Sequence, residues 1–331
     1  MTTLALAGDV MLGRLVSDIV IKNPPAQPWG DLLAIMGGAD ARLVNLECAI
    51  TRHRQRWTRT DKVFHFRADP RVIEVLHVAR IDAVALANNH VFDYNEAGLL
   101  DTLQYLDRAG IAHAGAGHDL AEACQPALVD AGGCRVALIA ITDNEPPFAA
   151  TSERPGTRYL PIDPASLPAL QQQVRAARGA GAALVVLSCH WGPNMVERPP
   201  AHFCAFARAA VDLGVDLFHG HSAHLCQGVE IHHGKPILYD TGDFLDDYAV
   251  DPWWRNDWSF LFLVTFEHGR LTRLELVPAL LTLARVQCAP EPERSALCRR
   301  MRALSAEFGT DLIEAGERLR WQAGDGGDAG A

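Results

Sequence analysis

Apolar residues in the first half of the chain occur in short runs separated by polar loops and helical stripes. The runs predict strands over 3–7, 42–46, 82–87 and 112–114, and a hairpin formed by 126–130 and 135–141. Between them, a periodic leucine stripe predicts a helix over 96–108, which Gly110 is expected to end. Such alternation of strands and helices is typical of a largely parallel sheet.

The same rhythm continues beyond a Pro- and Gly-rich stretch at 143–163, which we interpret as a loop inside one domain. It predicts helices over 164–178 and 200–213, and strands over 183–188 and 216–218. After residue 224 the pattern changes to antiparallel strands over 228–232, 235–240, 259–266 and 270–278, with tight turns at His233-Gly234 and His268-Gly269. A helix from 293 to about 318 is expected to close a single α/β domain over 1–320, followed by a disordered tail over 321–331.

Composition places the chain among soluble globular proteins. It has 331 residues, of which 49% are hydrophobic and 21% charged, and its formal net charge of −10 argues against a nucleic-acid partner. No apolar run approaches the roughly 20 residues that span a bilayer, and no signal peptide is recognised. The eight cysteines form no C-x-x-C pair and are expected to be reduced thiols. We therefore expect a cytoplasmic protein without a membrane anchor.

Oxygen-bearing side chains follow the first three predicted strands directly. Asp9, Glu47 and Asn89 stand at these strand ends. Because the carboxyl ends of parallel strands lie along one edge of an open sheet, we expect the three side chains to meet in one crevice. Carboxylate and amide oxygens are ligands that hard divalent cations prefer.

Histidines follow the later strands in the same way. His190 comes after the strand at 183–188, and His221 and His224 come after the strand at 216–218, whereas His219 is expected to pack within the sheet. Three imidazoles at strand ends are hard to explain as structural side chains. Together with the oxygen ligands they predict a site for one or two divalent ions of Mn, Zn, Fe or Mg.

The ordered set of motifs resembles the CapA family, named for poly-γ-glutamate capsule synthesis, within the calcineurin-like metallophosphatase superfold. The set comprises GDVMLGR at 8–14, NLE at 45–47, NNH at 88–90, HWG at 190–192 and GHSAH at 220–224, and the resemblance covers residues 4 to about 262. It implies a four-layer αββα sandwich with a mostly parallel N-terminal sheet and antiparallel C-terminal strands.

The resemblance also implies a ligand set for two ions. The two ions would share Glu47; the first would be held also by Asp9 and His224, and the second also by Asn89, His190 and His221. At the first site, Met11 stands where the wider superfold has a ligating histidine, and a thioether is a poor ligand for hard ions. The first site is therefore expected to bind its ion more weakly than the second.

His90 resembles the histidine of this fold that binds no metal and donates a proton to the leaving group. Asp93 lies three residues on and could orient it, as carboxylates orient other catalytic imidazoles.

A basic loop at 52–67 follows Glu47, and Arg14 follows Asp9. Guanidinium groups bind phosphate or carboxylate bidentately. We therefore expect an anionic small molecule, peptide or polymer as substrate, bound by one or more of Arg14, Arg59, Lys62 and Arg67. The acidic segment at 240–248 could help to hold the catalytic edge or select a cationic or amine-bearing group, but we favour its interpretation as a turn that closes the sheet.

Three functions are consistent with this pattern. The leading hypothesis is a metal-dependent hydrolase of a phosphoester or related anionic substrate, with His90 as the proton donor. The second is a metal-assisted epimerase or isomerase of a peptide or amino acid, in which His90 and either Asp9 or a late histidine are proton carriers on opposite faces. The third is a non-catalytic protein that binds an anionic polymer such as poly-γ-glutamate.

Overall fold

The computed structural model describes residues 1–323, which contain 20 β-strands and eight α-helices. The strands are β1 (Thr2–Val10), β2 (Ala41–Leu46), β3 (Ala49–Ile50), β4 (Arg67–Ala68), β5 (Ala83–Ala85), β6 (Ala112–Ala114), β7 (Ala116–Gly117), β8 (Ala127–Ala131), β9 (Cys134–Thr142), β10 (Gly156–Thr157), β11 (Leu184–His190), β12 (Leu217–His221), β13 (Val229–His232), β14 (Lys235–Leu238), β15 (Asp243–Leu245), β16 (Trp258–Glu267), β17 (Arg270–Thr282), β18 (Arg285–Cys288), β19 (Ile313–Ala315) and β20 (Arg318–Gln322). The helices are α1 (Arg14–Val20), α2 (Leu32–Met36), α3 (Ile73–Val78), α4 (Asn95–Ala109), α5 (Leu120–Ala123), α6 (Leu167–Gly179), α7 (Ala201–Asp212) and α8 (Glu293–Ala306).

Most strands belong to two mixed sheets. The larger has ten strands, with the order β19-β20-β17-β16-β1-β2-β5-β6 and with β15 and β18 attached to β1 and β17. Strands β1, β2, β5 and β6 pair in parallel with their neighbours. The pairs β1–β16, β16–β17 and β17–β20 are antiparallel. The smaller has six strands, with the order β13-β14-β12-β11-β9-β8 and a parallel centre.

Three apolar clusters hold four layers together. One lies between the large sheet and helices α1 to α4, and includes Val16 and Leu99. Another lies between the small sheet and helices α6 and α7, and includes Val174 and Phe206. The third fills the space between the two sheets, where Leu6 of β1 and Leu138 of β9 are buried. This arrangement confirms the predicted α/β class and the αββα order of layers.

The segment 239–242 joins the two sheets through backbone hydrogen bonds. The Thr241 amide donates to the carbonyl of Gly220 in the small sheet at 2.8 Å, and the Asp9 amide of the large sheet donates to the carbonyl of Gly242 at 3.0 Å. A Cβ at Gly8 would lie 1.9 Å from the Gly242 oxygen, and one at Gly220 would lie 2.0 Å from the Tyr239 oxygen. Glycine is therefore required on both sides for the sheets to approach.

The C-terminal region differs from the prediction. The helix expected from 293 to about 318 ends at Ala306, and the hairpin of β19 and β20 replaces its second half. Gly309 (φ +74°) lies between the helix and the hairpin, and Gly316 (φ +65°) forms the hairpin turn. β20 pairs with β17 up to Gln322, two residues beyond the expected end of the domain. Residues 324–331 of the predicted tail lie outside the described residues.

Candidate metal centre

A β-bulge in β1 positions the first candidate ligand. The register between β1 and β2 shifts between Ala7 and Asp9, so Gly8 is skipped, and Asp9 pairs with Asn45 on one side and Asp243 on the other. Bulges re-aim side chains and are common beside active sites. The Asp9 carboxylate is fully buried, and its Oδ1 accepts a hydrogen bond from the Asn45 amide at 2.7 Å.

Two groups of ligand atoms meet at Asp9. In the first group, Asp9 Oδ1 lies 3.6 Å from His190 Nδ1 and 3.2 Å from His221 Nδ1. The second group consists of Asp9, Glu47, His224 and Asp243. Within each group one ligand atom per residue lies within 4.8 Å of every other. Both sheets contribute, because β11 and β12 end at His190 and His221 while Asp9 lies near the end of β1.

Four buried oxygens at this place have no hydrogen-bond donor among the described residues. They are Asp9 Oδ2, Glu47 Oε1, Asn89 Oδ1 and Asp243 Oδ2. A buried acceptor without a partner is costly, and a divalent cation satisfies several such oxygens at once. The donor set, made of carboxylates, one amide and imidazoles, therefore fits a hard or borderline ion such as Mg²⁺, Mn²⁺, Fe²⁺ or Zn²⁺.

The electrostatics of the ligand side chains also favour a bound cation. Burial raises the pKa of Glu47 well above its usual value, and the charges of Asp9 and Asp243 raise it further. Burial lowers the pKa of His190 to about 4, although Asp9 opposes the shift. His190 is thus neutral near pH 7, as an imidazole ligand must be. The carboxylates crowd one another, and a bound cation would relieve that repulsion.

Surrounding side chains fix the ligands in place. The Asn88 amide donates to Asn45 Oδ1 at 3.1 Å, and Asn45 in turn holds Asp9. Ser188 Oγ lies 2.7 Å from His221 Nε2. His219 instead lies within hydrogen-bonding distance of Ser188 and Thr241, as expected for a histidine packed within the sheet. Such outer contacts orient metal-binding side chains and tune their affinity.

The backbone at the end of β12 is strained. Ser222 and His224 have φ values of +115° and +58°, a region that residues other than glycine rarely adopt. Strain of this kind persists only where the surroundings enforce it, and it clusters at functional sites. Here it brings His224 Nδ1 to 2.8 Å from Asp243 Oδ1.

His90 lies beside the ligand groups with one ring nitrogen engaged. Its Nδ1 is 2.6 Å from Asp93 Oδ2, and its ring stacks on Phe66 with 3.6 Å between centroids. Asp93 also accepts the Phe66 amide and lies 3.5 Å from Lys62 Nζ. His90 Nε2 therefore faces the centre, 3.9 Å from Glu47 Oε1. The proton-donor role stays a prediction, but the ring is held in the orientation it requires.

A cavity of about 540 Å³ opens over this centre. Among the predicted substrate-binding residues, Arg14 and Lys62 line it, together with Asn89, His90 and His224. Arg59 and Arg67 do not. Arg59 is half exposed and pairs with Glu96, while Arg67 donates to the carbonyl of His53.

Residues 3–248 match the family model of the bacterial capsule synthesis protein PGA_cap. The chain belongs to this family. It is 32% identical over 363 residues to a probable polyglutamine synthesis accessory protein of Mycobacterium tuberculosis, covering 96% of this chain and 94% of the relative. It is 28% identical over 297 residues to the capsule biosynthesis protein CapA of Bacillus anthracis, covering 89% and 70%. Among solved structures, sulfate thiohydrolase SoxB of Thermus thermophilus has a TM-score of 0.47 at 14% identity, covering 95% of this chain and 62% of that one.

The family assignment confirms the resemblance drawn from the motifs. The PGA_cap region ends at residue 248 and so contains the ligand atoms of both groups around Asp9. Within residues 1–323, no helix has both the length and the hydrophobicity needed to cross a membrane.

The geometry adds two features to the expected ligand set. Asp9 belongs to both groups, and Glu47 also lies near the first group, with its Oε1 3.8 Å from His190 Nε2. Asp243, interpreted from sequence as part of a closing turn, supplies a carboxylate to the group of Asp9, Glu47 and His224. That group was expected to be poor in ligands because of Met11, whose sulfur lies 3.0 Å from the Gly13 amide. The one sequence signal for Asp243 was the acidity of its segment.

Proposed function

We propose that this PGA_cap family member is a divalent-metal-dependent hydrolase of an anionic substrate, either a phosphoester or an anionic polymer such as poly-γ-glutamate. The observation that carries the proposal is the set of four buried oxygens that have no hydrogen-bond donor within residues 1–323, beside a histidine whose Nε2 faces the same centre. When bound, a divalent ion supplies Lewis acidity and lowers the pKa of bound water, and hydrolysis benefits from both effects.

The protein's own residues provide the remaining functions. Asp9, Glu47, Asn89, His190, His221, His224 and Asp243 would hold the metal. The pair of His90 and Asp93 would supply a proton to the leaving group through Nε2 of His90, because Asp93 engages Nδ1 and burial raises the pKa of Asp93 to about 7. Lys62 and Arg14 line the cavity and would bind the anionic groups of the substrate. Lys62 is nearly buried and also lies 3.1 Å from Glu145, which fixes its ammonium group near His90.

A second cavity, of about 760 Å³, supports an extended anionic substrate. Arg14 lines both cavities, and Arg52, Arg54, Arg56, Arg67 and Arg71 also line the second. Within residues 1–323, the side chains of Arg52, Arg54 and Arg56 have no acidic partner within 4.0 Å. In an extended chain, alternate residues point to one side about 7 Å apart. Three uncompensated guanidinium groups on one side match a chain with repeating negative charges better than a single small anion.

The isomerase hypothesis is less well supported. It needs two proton carriers that are free to act on opposite faces of a carbon atom. Asp9 is held by Asn45 and lies against His190 and His221, which favours a ligand role over that of a mobile base.

The test uses the full chain, stripped with a chelator and reloaded separately with Mn²⁺, Zn²⁺, Fe²⁺ or Mg²⁺. Nitrophenyl phosphate mono- and diesters and poly-γ-glutamate are offered as substrates, and release of nitrophenol or of new amino groups is followed. Asp9→Asn should abolish metal-dependent turnover, whereas Asp40→Asn, a surface carboxylate at the other end of β1 that accepts the Thr3 amide, should not.

Each alternative gives its own outcome in the same preparation. Incorporation of deuterium at an α-carbon in D₂O without cleavage would replace the proposal with the isomerase. Tight binding of poly-γ-glutamate without turnover at any metal would replace it with a binding protein.

A further inference from the structure

A second set of ligand-type side chains lies at the opposite end of the small sheet from the metal centre. Asp212 is the last residue of α7, His232 ends β13, and His233 follows in the turn before β14. β12 and β14 run parallel, so the starts of these strands, where the group lies, are at the other end from His221. Nothing in the proposed function involves these residues.

Two imidazoles converge on one carboxylate oxygen in this group. His232 Nε2 and His233 Nδ1 each lie 3.1 Å from Asp212 Oδ1. The two rings stack with centroids 4.0 Å apart and planes 26° apart. The turn causes this arrangement, because His233 (φ +49°) and Gly234 (φ +74°) form a tight two-residue connection that turns the second ring back beside the first.

The arrangement differs from other histidine–carboxylate contacts on the surface. His118 forms a single pair with Glu122, and His113 forms a single pair with Asp107. In the Asp212 group, three ligand atoms from two separate elements lie within 4.8 Å of one another. A second carboxylate, Glu230, lies 3.9 Å from the remaining nitrogen of His232.

Glu230 is itself held in place. It is mostly buried and accepts hydrogen bonds from Arg208 and Tyr239. A fixed carboxylate near the outer nitrogen of an imidazole is the usual partner of a metal-binding histidine, either directly or through water.

We propose that Asp212, His232 and His233 form a surface binding site for a borderline divalent transition metal ion such as Zn²⁺, Co²⁺ or Ni²⁺. Two neutral imidazoles and one carboxylate are a ligand set that these ions prefer over Mg²⁺ or Ca²⁺, and water would complete the coordination. The ion would link the end of α7 to the β13–β14 hairpin, which forms one edge of the small sheet. The site would stabilise that edge and would be independent of hydrolysis.

The test is a calorimetric titration of Zn²⁺ into chelator-stripped full chain, comparing wild type with His233→Ala. The chain offers a matched control in His268, which is also followed by glycine in a tight turn (φ +48° and +78°) and is likewise exposed. His233→Ala should remove one binding event or weaken it at least tenfold, while His268→Ala should bind as wild type does.

A spectroscopic measurement assigns the binding event to this surface site. Co²⁺ added to Asp9→Asn protein, in which both groups of the metal centre are impaired, should give visible bands that His233→Ala, combined with it, removes. Equal Zn²⁺ stoichiometry and affinity in wild type and His233→Ala would overturn the proposal, as would loss of the same event in His268→Ala. Because His233 is largely exposed, its replacement should not disturb folding.

Discussion

Metal-dependent stabilisation offers the sharpest test of the centre, because β12 carries two buried histidines of different character. His221 belongs to the group around Asp9, whereas His219, two residues earlier, lies against Ser188 and Thr241. Replacing either with alanine removes a buried imidazole from the same strand. Only His221→Ala should also weaken the response to metal, because His221 belongs to one of the two groups around Asp9.

The size of the response follows from linkage. At a free metal concentration 100 times the Kd, binding stabilises the native state by about 2.7 kcal/mol. The unfolding entropy of a 331-residue chain is about 0.7 kcal/mol per kelvin, so the wild-type Tm should rise by about 4 °C. If His221→Ala weakens binding about 100-fold, the same metal concentration stabilises it by only about 0.4 kcal/mol, a shift below about 1 °C.

The assay is thermal unfolding of chelator-stripped protein with and without Mn²⁺, followed by circular dichroism. Both variants should start from a lower Tm than wild type, because each loses buried hydrogen bonds at a cost of about 1–3 kcal/mol. His219→Ala should keep the metal-induced rise. A full metal-induced rise in the Tm of His221→Ala, or loss of that rise in both variants, would refute the ligand assignment.

Three further predictions address individual residues. His90→Asn should leave metal content unchanged and lower kcat by about 10²–10⁴-fold, with a smaller effect on nitrophenyl esters, whose leaving group needs no proton; elemental analysis and steady-state kinetics check both parts, and loss of metal would exclude the role. Asp243→Asn should weaken one metal-binding event and spare the other, as measured by titration; two unchanged events would remove Asp243 from the ligand set. The triple variant of Arg52, Arg54 and Arg56 to alanine should raise KM for an anionic polymer and leave KM for nitrophenyl phosphate unchanged, with alanine at the exposed Arg270, Arg299 and Arg302 as the charge-matched control; an equal rise for both substrates would argue against an extended binding site.

Much of the fold could be predicted because its central strands have simple sequence patterns. β6 was predicted with its observed bounds, and the strands ending near Asp9, Glu47 and His190 are apolar runs followed at once by a polar residue. Both His-Gly turns were identified as hairpin connections, as observed. A continuous apolar run needs no distant information, so its position can be inferred locally.

The features that were missed depend on distant partners. β15 has three residues, and its register is set by parallel pairing with β1 more than 200 positions earlier. Asp243 therefore enters the centre through a contact that no local pattern contains. The C-terminal helix was predicted too long because Leu312 and Leu319 continue a helical stripe, although glycines at 309 and 316 interrupt it. The basic loop shows the same limit, since charge alone did not distinguish Lys62, which lines the metal cavity, from Arg59, which pairs with Glu96.

The division of the centre between two sheets has a kinetic consequence. Asp9 and Glu47 belong to one sheet, and His190 and His221 to the other. Any opening that separates the sheets also separates the ligands, so metal release and this partial unfolding would be one event. The exchange rate of bound metal should then match the hydrogen-exchange rate of the Thr241 and Asp9 amides, which close the junction. The bound ion would act as a built-in reporter of how often the two halves of the molecule come apart.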